Sequence, residues 1–100
     1  MNTIDTKALS ELTNPVIIDV REPFEYVAGH APTANSIPLG ELIARVEELD
    51  RDNPVYVICE SGGRSGQAVE WLSTQGFDAV NVDGGTSAWR NSGLPVKKES

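Results

Sequence analysis

Three short apolar runs constrain the fold of this chain more than any other feature of its sequence. An apolar run without the polar alternation of a half-exposed strand indicates burial on both faces, as in a parallel sheet covered by helices. An Asn-Pro pair, typical of a turn, precedes each of the first two runs. Weaker strand signals around Thr3-Ile4 and Ser36-Ile37 bring the predicted total to five strands. The three strong runs are Val16-Ile17-Ile18, Val55-Tyr56-Val57-Ile58 and Ala79-Val80-Asn81-Val82.

Helical patterns separate these strands. The clearest has apolar residues at three- and four-residue steps, and a second is predicted from about Arg64 to Gln75, with Gly76 as its stop. Shorter helices are predicted after a cap at Asp5, from Pro23 to a stop at Gly29, and from Thr86. Strands that alternate with helices indicate an α/β fold with a parallel sheet and right-handed crossovers. The clearest helical pattern consists of Leu39, Leu42, Ile43, Val46 and Leu49.

Length and composition predict one small domain. The chain has 100 residues, 39% of them apolar, which is enough for one hydrophobic core and too few for a second domain. We therefore predict a single domain over residues 1–100, with a frayed tail at 97–100. The first residues lack a basic start followed by an apolar segment, and the apolar runs are too short to span a membrane. These features predict a cytoplasmic protein.

Charge and metal-ligand content exclude several classes of partner. The net charge of −7 argues against nucleic acids and anionic membranes, because binding to phosphates requires clustered lysine and arginine. One cysteine and one histidine can form neither an internal disulfide nor a closed zinc site of four protein ligands. We therefore expect no metal, no cofactor, no nucleic acid and no membrane contact. We also expect the protein to be a monomer.

The only thiol of the chain lies at a predicted strand-to-helix turn. Cys59 follows the run that ends at Ile58 and precedes the helix predicted from about Arg64. A turn of this kind directs backbone N–H groups into one concavity, and the helix dipole adds partial positive charge there. Two adjacent glycines let the backbone curl around an anion, and Arg64 adds a permanent cation. The segment predicts a cysteine of lowered pKa that acts as a nucleophile.

Simpler roles are open to the same residues. A free cysteine is usually buried as a small apolar side chain, and arginine often pairs with a carboxylate. For Cys59 and Arg64, their positions in the chain favour a functional role over a structural one. The loop after Cys59 has the features that hold an anion, and Arg64 closes that loop. For His30 a packing or turn-capping role is favoured over that of general base, since an ionised thiolate needs none. Ser65 is predicted to cap the following helix, with Ser61 as a further donor.

Several motifs follow one another in an order that indicates a family. They cover nearly the whole chain, and together they are more specific than any one of them. They are Asp19-Val20-Arg21-Glu22-Pro23-Phe24-Glu25-Tyr26, Gly29-His30, Ala34-Asn35-Ser36-Ile37-Pro38, Cys59-Glu60-Ser61-Gly62-Gly63-Arg64-Ser65, Gly84-Gly85 and Trp89. In this order they resemble the single-domain rhodaneses, which are thiosulfate or persulfide sulfurtransferases.

The resemblance implies a three-layer α/β/α domain with a five-stranded parallel sheet and a catalytic Cys59. It implies that the Cys59 thiolate takes the outer sulfur of a small donor, such as thiosulfate or a low-molecular-weight persulfide. A thiophilic acceptor, either small or a sulfur-accepting protein, then removes that sulfur. The implied persulfide-binding loop is Glu60, Ser61, Gly62, Gly63, Arg64 and Ser65, with Asp19, Arg21 and Glu25 expected as a charge-paired scaffold beneath it.

Glu60 departs from the family pattern. A carboxylate next to the nucleophile opposes formation of the thiolate and repels a dianionic donor, so thiosulfate is expected to be a poor substrate. Screening weakens this effect if the side chain points into solvent.

Two other classes of protein use similar features. Cysteine-dependent phosphatases and arsenate reductases place five residues between cysteine and arginine, whereas only four separate Cys59 from Arg64. The smaller ring fits a sulfur atom better than a tetrahedral oxyanion. A non-catalytic interaction or redox-sensing module is the other alternative, although the chain retains its nucleophile and has no second cysteine to resolve a sulfenic acid.

Overall fold

The sheet has five parallel strands, as predicted. In the computed structural model, which describes residues 1–99, the strand order is β1-β5-β4-β2-β3 and every neighbouring pair is parallel. The prediction of an α/β fold with a five-stranded parallel sheet is confirmed. The strands are Asn2–Ile4 (β1), Val16–Asp19 (β2), Asn35–Ser36 (β3), Val55–Ile58 (β4) and Ala79–Val82 (β5).

Four α-helices lie between or after the strands, and local signals set their ends. Asp5 caps α1 by accepting a hydrogen bond of 2.7 Å from the Ala8 amide. Pro23 opens α2 at the position where a missing N–H costs nothing. Gly76 follows α3 with φ +89°, a left-handed conformation that favours glycine. The helices are Thr6–Ser10 (α1), Pro23–Ala28 (α2), Gly63–Thr74 (α3) and Gly85–Asn91 (α4).

The clearest helical pattern of the sequence does not form an α-helix. Two 3₁₀ turns, Leu39–Glu41 and Val46–Glu48, occupy that segment. The buried side chains include Leu42 and Leu49, whereas Ile43 is 67% exposed. A three-residue step aligns side chains in a 3₁₀ turn, so the same apolar spacing serves two tight turns. The predicted α-helix over this segment is therefore wrong.

Two hydrophobic clusters explain why the strands are apolar on both faces. Ile18 and Val57 belong to the cluster that contains the inner face of α3, including Leu72. Ile17 and Ile58 belong to the other cluster, with Leu9 of α1 and Trp89 of α4. Because successive side chains of a strand point to opposite faces, each strand contributes to both clusters. The molecule therefore has three layers, with helices covering both faces of the sheet.

The predicted frayed tail is instead paired with the body of the protein. His30 and Lys97 exchange backbone hydrogen bonds of 3.0 and 2.9 Å, and the Glu99 amide donates to the Val27 carbonyl at 3.0 Å. Paired backbone groups hold this segment against the region of α2. The remainder of the prediction, at residue 100, lies outside the described residues. Within residues 1–99, no helix is long and apolar enough to cross a membrane.

The topology brings three strand ends together. β4 is the middle strand, with β2 on one side and β5 on the other. The carboxyl ends of parallel strands share one edge of a sheet, and ligands bind outside that edge in open α/β folds. Cys59 therefore follows the central strand, between the segments after Asp19 and Val82.

Candidate active site

The sulfur of Cys59 is held by the loop that follows it. The Gly62 amide donates a hydrogen bond to Sγ at 3.1 Å, and the Ser65 hydroxyl lies 3.2 Å from the same atom. Gly62 has φ +116°, so glycine is favoured at the point where the loop turns back toward the sulfur. The next residue, Gly63, begins α3, which places the positive end of the helix dipole at the loop.

These donors favour the ionised sulfur. Burial raises the pKa of Cys59, whereas the Ser65 side chain and the backbone amides of Ser65, Gly62 and Ser61 lower it, and the result lies below the ordinary value of 9.0. The loop can therefore stabilise a thiolate, or a persulfide anion on the same residue, without a general base.

Cys59 is reached only with difficulty from solvent. The residue is 1% exposed. A groove of about 400 Å³ lies beside the loop, and the residues that line it include Phe24, Glu25, Glu60 and Arg90. Such a sulfur favours reagents that present one small reactive atom over bulky ones.

The last helix fixes the backbone of the loop. The Thr86 amide donates to the Cys59 carbonyl at 2.8 Å, and the Ser87 amide donates to the Glu60 carbonyl at 3.0 Å. The Thr86 hydroxyl adds a second bond of 3.0 Å to the Cys59 carbonyl. The amino end of α4 thus satisfies the first two carbonyls of the loop, which orients their peptide planes.

Arg64 closes the loop and forms a two-point ion pair with Glu25 of α2. Its Nη1 and Nη2 donate to the two carboxylate oxygens at 2.7 and 3.0 Å. The hydrogen bond to Arg64 lowers the pKa of Glu25 to about 2, and the same pairing raises the pKa of Arg64. The nearby Cys59 sulfur also raises the pKa of Arg64, so the cation lies within electrostatic reach of that sulfur.

The carboxylate of Glu60 is occupied by two arginines. Arg21 donates to its Oε1 at 3.1 Å, and Arg90 donates to its Oε2 at 2.6 Å. Two guanidinium groups offset the negative charge that the sequence places next to Cys59. These pairs therefore weaken the expected opposition of Glu60 to formation of the thiolate.

Arg21 is itself a buried residue of the scaffold. It is 2% exposed and donates to Asp19 Oδ2 at 2.8 Å and to the Gly29 carbonyl at 2.7 Å. Burial acts to lower its pKa, but the bonds and charges of Asp19 and Glu60 raise it, and the net direction is upward. Asp19 and Arg21 thus connect the end of β2 to the loop through Glu60, and Glu25 connects α2 to the loop through Arg64.

The predicted role of Ser65 as a helix cap is wrong, whereas the structure agrees with the predicted packing role of His30. Ser65 does not cap α3, because Gly62 is the N-cap residue and the Ser65 side chain is directed at Cys59 and Asn81. His30 is a packing residue: its ring stacks on Tyr26 with centroids 3.6 Å apart. Its Nδ1 lies 2.8 Å from the Tyr26 carbonyl.

Sequence reasoning missed Asn81 and Arg90. Asn81 is a buried polar residue in the apolar run of β5, and that interruption was the only signal it offered. Arg90 lies at the end of α4, 30 positions from its partner Glu60, and no local pattern links the two. In the part of the chain that the structure describes, no three His, Cys, Asp or Glu residues are grouped as a metal site would require.

Comparison with known proteins identifies relatives along most of the chain. The family model "Rhodanese-like domain" matches residues 4–92. A protein of Allochromatium vinosum named "Sulfurtransferase" is 36% identical, with 96% of this chain and 94% of that protein covered. The protein YtwF of Bacillus subtilis, named provisionally as a sulfurtransferase, is 40% identical, with 92% and 93% covered.

Solved structures agree with the fold. A rhodanese-related protein from Thermoplasma volcanium superposes with a TM-score of 0.94 at 39% identity, covering 99% of this chain and 100% of that one. A rhodanese-like domain protein from Staphylococcus aureus gives a TM-score of 0.90 at 34% identity, with both chains fully covered.

Proposed function

The chain belongs to the rhodanese-like domain family, and from that premise we propose that it is a sulfurtransferase that carries sulfane sulfur on Cys59. The observation that carries the proposal is the placement of the only thiol in a ring of donors that lowers its pKa. The sulfurtransferase names of two relatives support the same class of reaction.

The proposed reaction has two displacements. The Cys59 thiolate attacks the outer sulfur of thiosulfate, a new S–S bond forms, the old S–S bond breaks, and sulfite leaves with the bonding electron pair. A persulfide donor reacts in the same way and releases its thiolate. A thiophilic acceptor then attacks the terminal sulfur of the Cys59 persulfide and regenerates the thiolate. A covalent intermediate of this kind predicts ping-pong kinetics.

Each loop residue has a proposed part in these steps. The amides of Ser61, Gly62 and Ser65 stabilise negative charge on the sulfur before and after loading. Arg64 attracts the anionic donor, although Glu25 shares its charge in the resting protein. No step requires a metal or an organic cofactor.

We propose a small donor, either thiosulfate or a low-molecular-weight persulfide, because Cys59 is almost fully buried. The arginine pairs of Glu60 remove part of the repulsion that would exclude thiosulfate. The acceptor is proposed to be a small thiophile or a partner protein. We propose a cytoplasmic location, because a reducing compartment keeps the thiol available. We also propose that the protein acts as a monomer.

Mass spectrometry of the intact protein tests the proposal. We expect the wild-type protein to gain the mass of one sulfur atom after exposure to thiosulfate or to a low-molecular-weight persulfide, and to lose it on treatment with cyanide or a reductant. Cys59→Ser, which replaces the thiol by a far less acidic hydroxyl, should gain none and should show at least a thousandfold lower turnover, on the order expected for loss of a nucleophile.

Circular dichroism and thermal melting of Cys59→Ser provide the folding control. Equal loading of the two proteins would remove Cys59 from the mechanism. A wild-type protein that gains no sulfur from either donor would contradict sulfur transfer itself.

A further inference from the structure

The Ser65 hydroxyl has two neighbours but only one hydrogen to donate. Its Oγ lies 3.2 Å from Cys59 Sγ and 2.5 Å from Asn81 Oδ1. A serine hydroxyl supplies one donor and two acceptor positions, so it cannot donate to both atoms at once. All three residues are buried, with Ser65 fully enclosed and Asn81 5% exposed, so solvent does not supply a replacement donor.

The Gly62 carbonyl sets the orientation of the Asn81 amide. Asn81 Nδ2 lies 3.2 Å from the Gly62 oxygen, which can only accept a hydrogen bond. Turning the amide over would place two acceptor oxygens against each other. The Asn81 oxygen therefore faces Ser65, and as an acceptor it requires the Ser65 hydrogen.

This arrangement changes with the charge on the sulfur. While Cys59 is protonated, Ser65 donates to Asn81, and the Cys59 S–H can donate to Ser65 Oγ. When the thiol proton has left to solvent, the sulfur is an anion that attracts the same hydrogen. The hydroxyl can donate to the ionised Sγ only by rotating away from Asn81, which breaks the bond to Asn81.

We propose that Asn81 is a positioning residue that competes with Cys59 for the single hydrogen of Ser65 and so sets how readily the nucleophile ionises. Asn81 touches neither the sulfur nor a donor and acts through Ser65. The inference deepens the proposed sulfurtransferase function and rests on it for its catalytic meaning, whereas ionisation of Cys59 can be measured without any sulfur donor.

The charged groups around the loop are separate from this competition. Arg64 of α3 is paired with Glu25 of α2, and Glu60 is paired with Arg21 and Arg90. Asp19, at the end of β2, is paired with Arg21. A neutral substitution at Asn81 leaves all of these charges in place, so a change in ionisation of Cys59 can be assigned to the hydrogen bonds.

The test is the pKa of Cys59, measured from thiolate ultraviolet absorbance against pH, with Cys59→Ser as the blank. Asn81→Leu has a similar volume and removes both amide atoms, which frees the Ser65 hydrogen for the sulfur. We expect the pKa of Cys59 to fall by about half a unit to one unit, an increase of about three- to tenfold in its ionisation constant. Asn81→Ala should shift it in the same direction if Asn81→Leu does not fold.

The same substitution in a Ser65→Ala background is the matched control. Without the hydroxyl there is no hydrogen to compete for, so the substitution should leave the pKa of Cys59 unchanged there. If Asn81→Leu left the pKa of Cys59 unchanged or raised it in the protein that keeps Ser65, the proposal would be overturned. Equal shifts in both backgrounds would also overturn it, because Asn81 would then act through packing of the loop. If neither wild type nor variant gains sulfur while the pKa pattern holds, the proposed function fails and the role of Asn81 in ionisation stands.

Discussion

Among single residues, the charged side chains of the site are held in ion pairs, and the Ser65 hydroxyl has two hydrogen-bond neighbours. Arg64 closes the loop and is ion-paired with Glu25, and Glu60 is ion-paired with both Arg21 and Arg90. Each pair links the loop to another element of the fold. The positive charge that the loop can offer to an anion is therefore smaller than the number of nearby arginines suggests. Removal of a carboxylate partner should change the stability of the protein.

The Glu25–Arg64 pair predicts a pH-dependent contribution to stability. Because the pKa of Glu25 is lowered from 4.5 to about 2 in the folded protein, the pair stabilises the fold above pH 4.5, and this contribution is lost as the pH falls toward 2. We expect Glu25→Gln to lower the Tm at pH 7 by about 2–6 °C. Gln keeps an acceptor for the Glu22 amide at the start of α2. Thermal melting between pH 7 and 2 measures the difference.

Glu47→Gln is the matched control, since Glu47 forms no ion pair within residues 1–99. The difference in Tm between wild type and Glu25→Gln should shrink as the pH falls from 4.5 to 2. The Glu47→Gln control should have the Tm of the wild type throughout. A difference that is constant with pH would mean that the pair does not stabilise the fold by charge.

Among the elements of the fold, the amino end of α4 supports the loop that begins at Cys59. Its first amides bind the carbonyls of Cys59 and Glu60, and this requires the two chain segments to approach closely. Gly85 makes that approach possible: a Cβ atom there would lie 2.5 Å from the Cys59 carbonyl oxygen, and its φ is +57°. The Gly84-Gly85 pair thus serves the loop from a distant part of the chain.

Gly85→Ala should therefore destabilise the protein. Left-handed backbone costs an alanine about 1–2 kcal/mol, and the contact with backbone atoms adds to that, so we expect a fall in Tm of about 8 °C or more. Gly40→Ala is the control, because a Cβ at Gly40 meets no atom within 4 Å. Thermal melting of both variants measures the two changes in Tm. Similar melting temperatures for the two would show that the α4 contact tolerates a side chain.

For the molecule as a whole, the net charge is −7, whereas the loop after Cys59 is proposed to receive a small anionic donor. The global field opposes the approach of a small anion, while the loop favours it at short range. Salt separates the two effects, because the Debye length falls from about 30 Å at 0.01 M to about 8 Å at 0.15 M ionic strength. Long-range repulsion is then screened, and contacts within the loop are less affected.

Alkylation of Cys59 by a charged and a neutral reagent tests this balance. Iodoacetate and iodoacetamide have similar size and differ in charge, so their rate ratio isolates electrostatics from the burial of the sulfur. We expect the ratio of iodoacetate to iodoacetamide to rise about two- to threefold between 0.01 M and 0.15 M ionic strength. Cys59→Ser should take up neither reagent. A ratio that falls with salt would mean that the loop cations outweigh the field of the whole protein.

Features that local chemistry controls could be predicted from the sequence alone. The apolar runs at β2, β4 and β5 predicted strands buried on both faces, and the cap at Asp5 and the stop at Gly76 predicted helix ends, because each signal acts over a few neighbouring residues. The segment from Cys59 to Ser65 predicted an anion-holding turn for the same reason. These predictions needed no knowledge of what lies across the fold.

Other features emerge only in the folded protein, because they depend on residues far apart in the chain. The apolar spacing of residues 39–49 fits an α-helix and two 3₁₀ turns alike, and packing against the sheet selected the turns. Residues 97–99 pair because His30 and Val27 offer backbone partners. Glu60 meets Arg90, and Ser65 meets Asn81, only when parallel strands bring their ends to one edge, since no local pattern encodes contacts 30 and 16 positions apart.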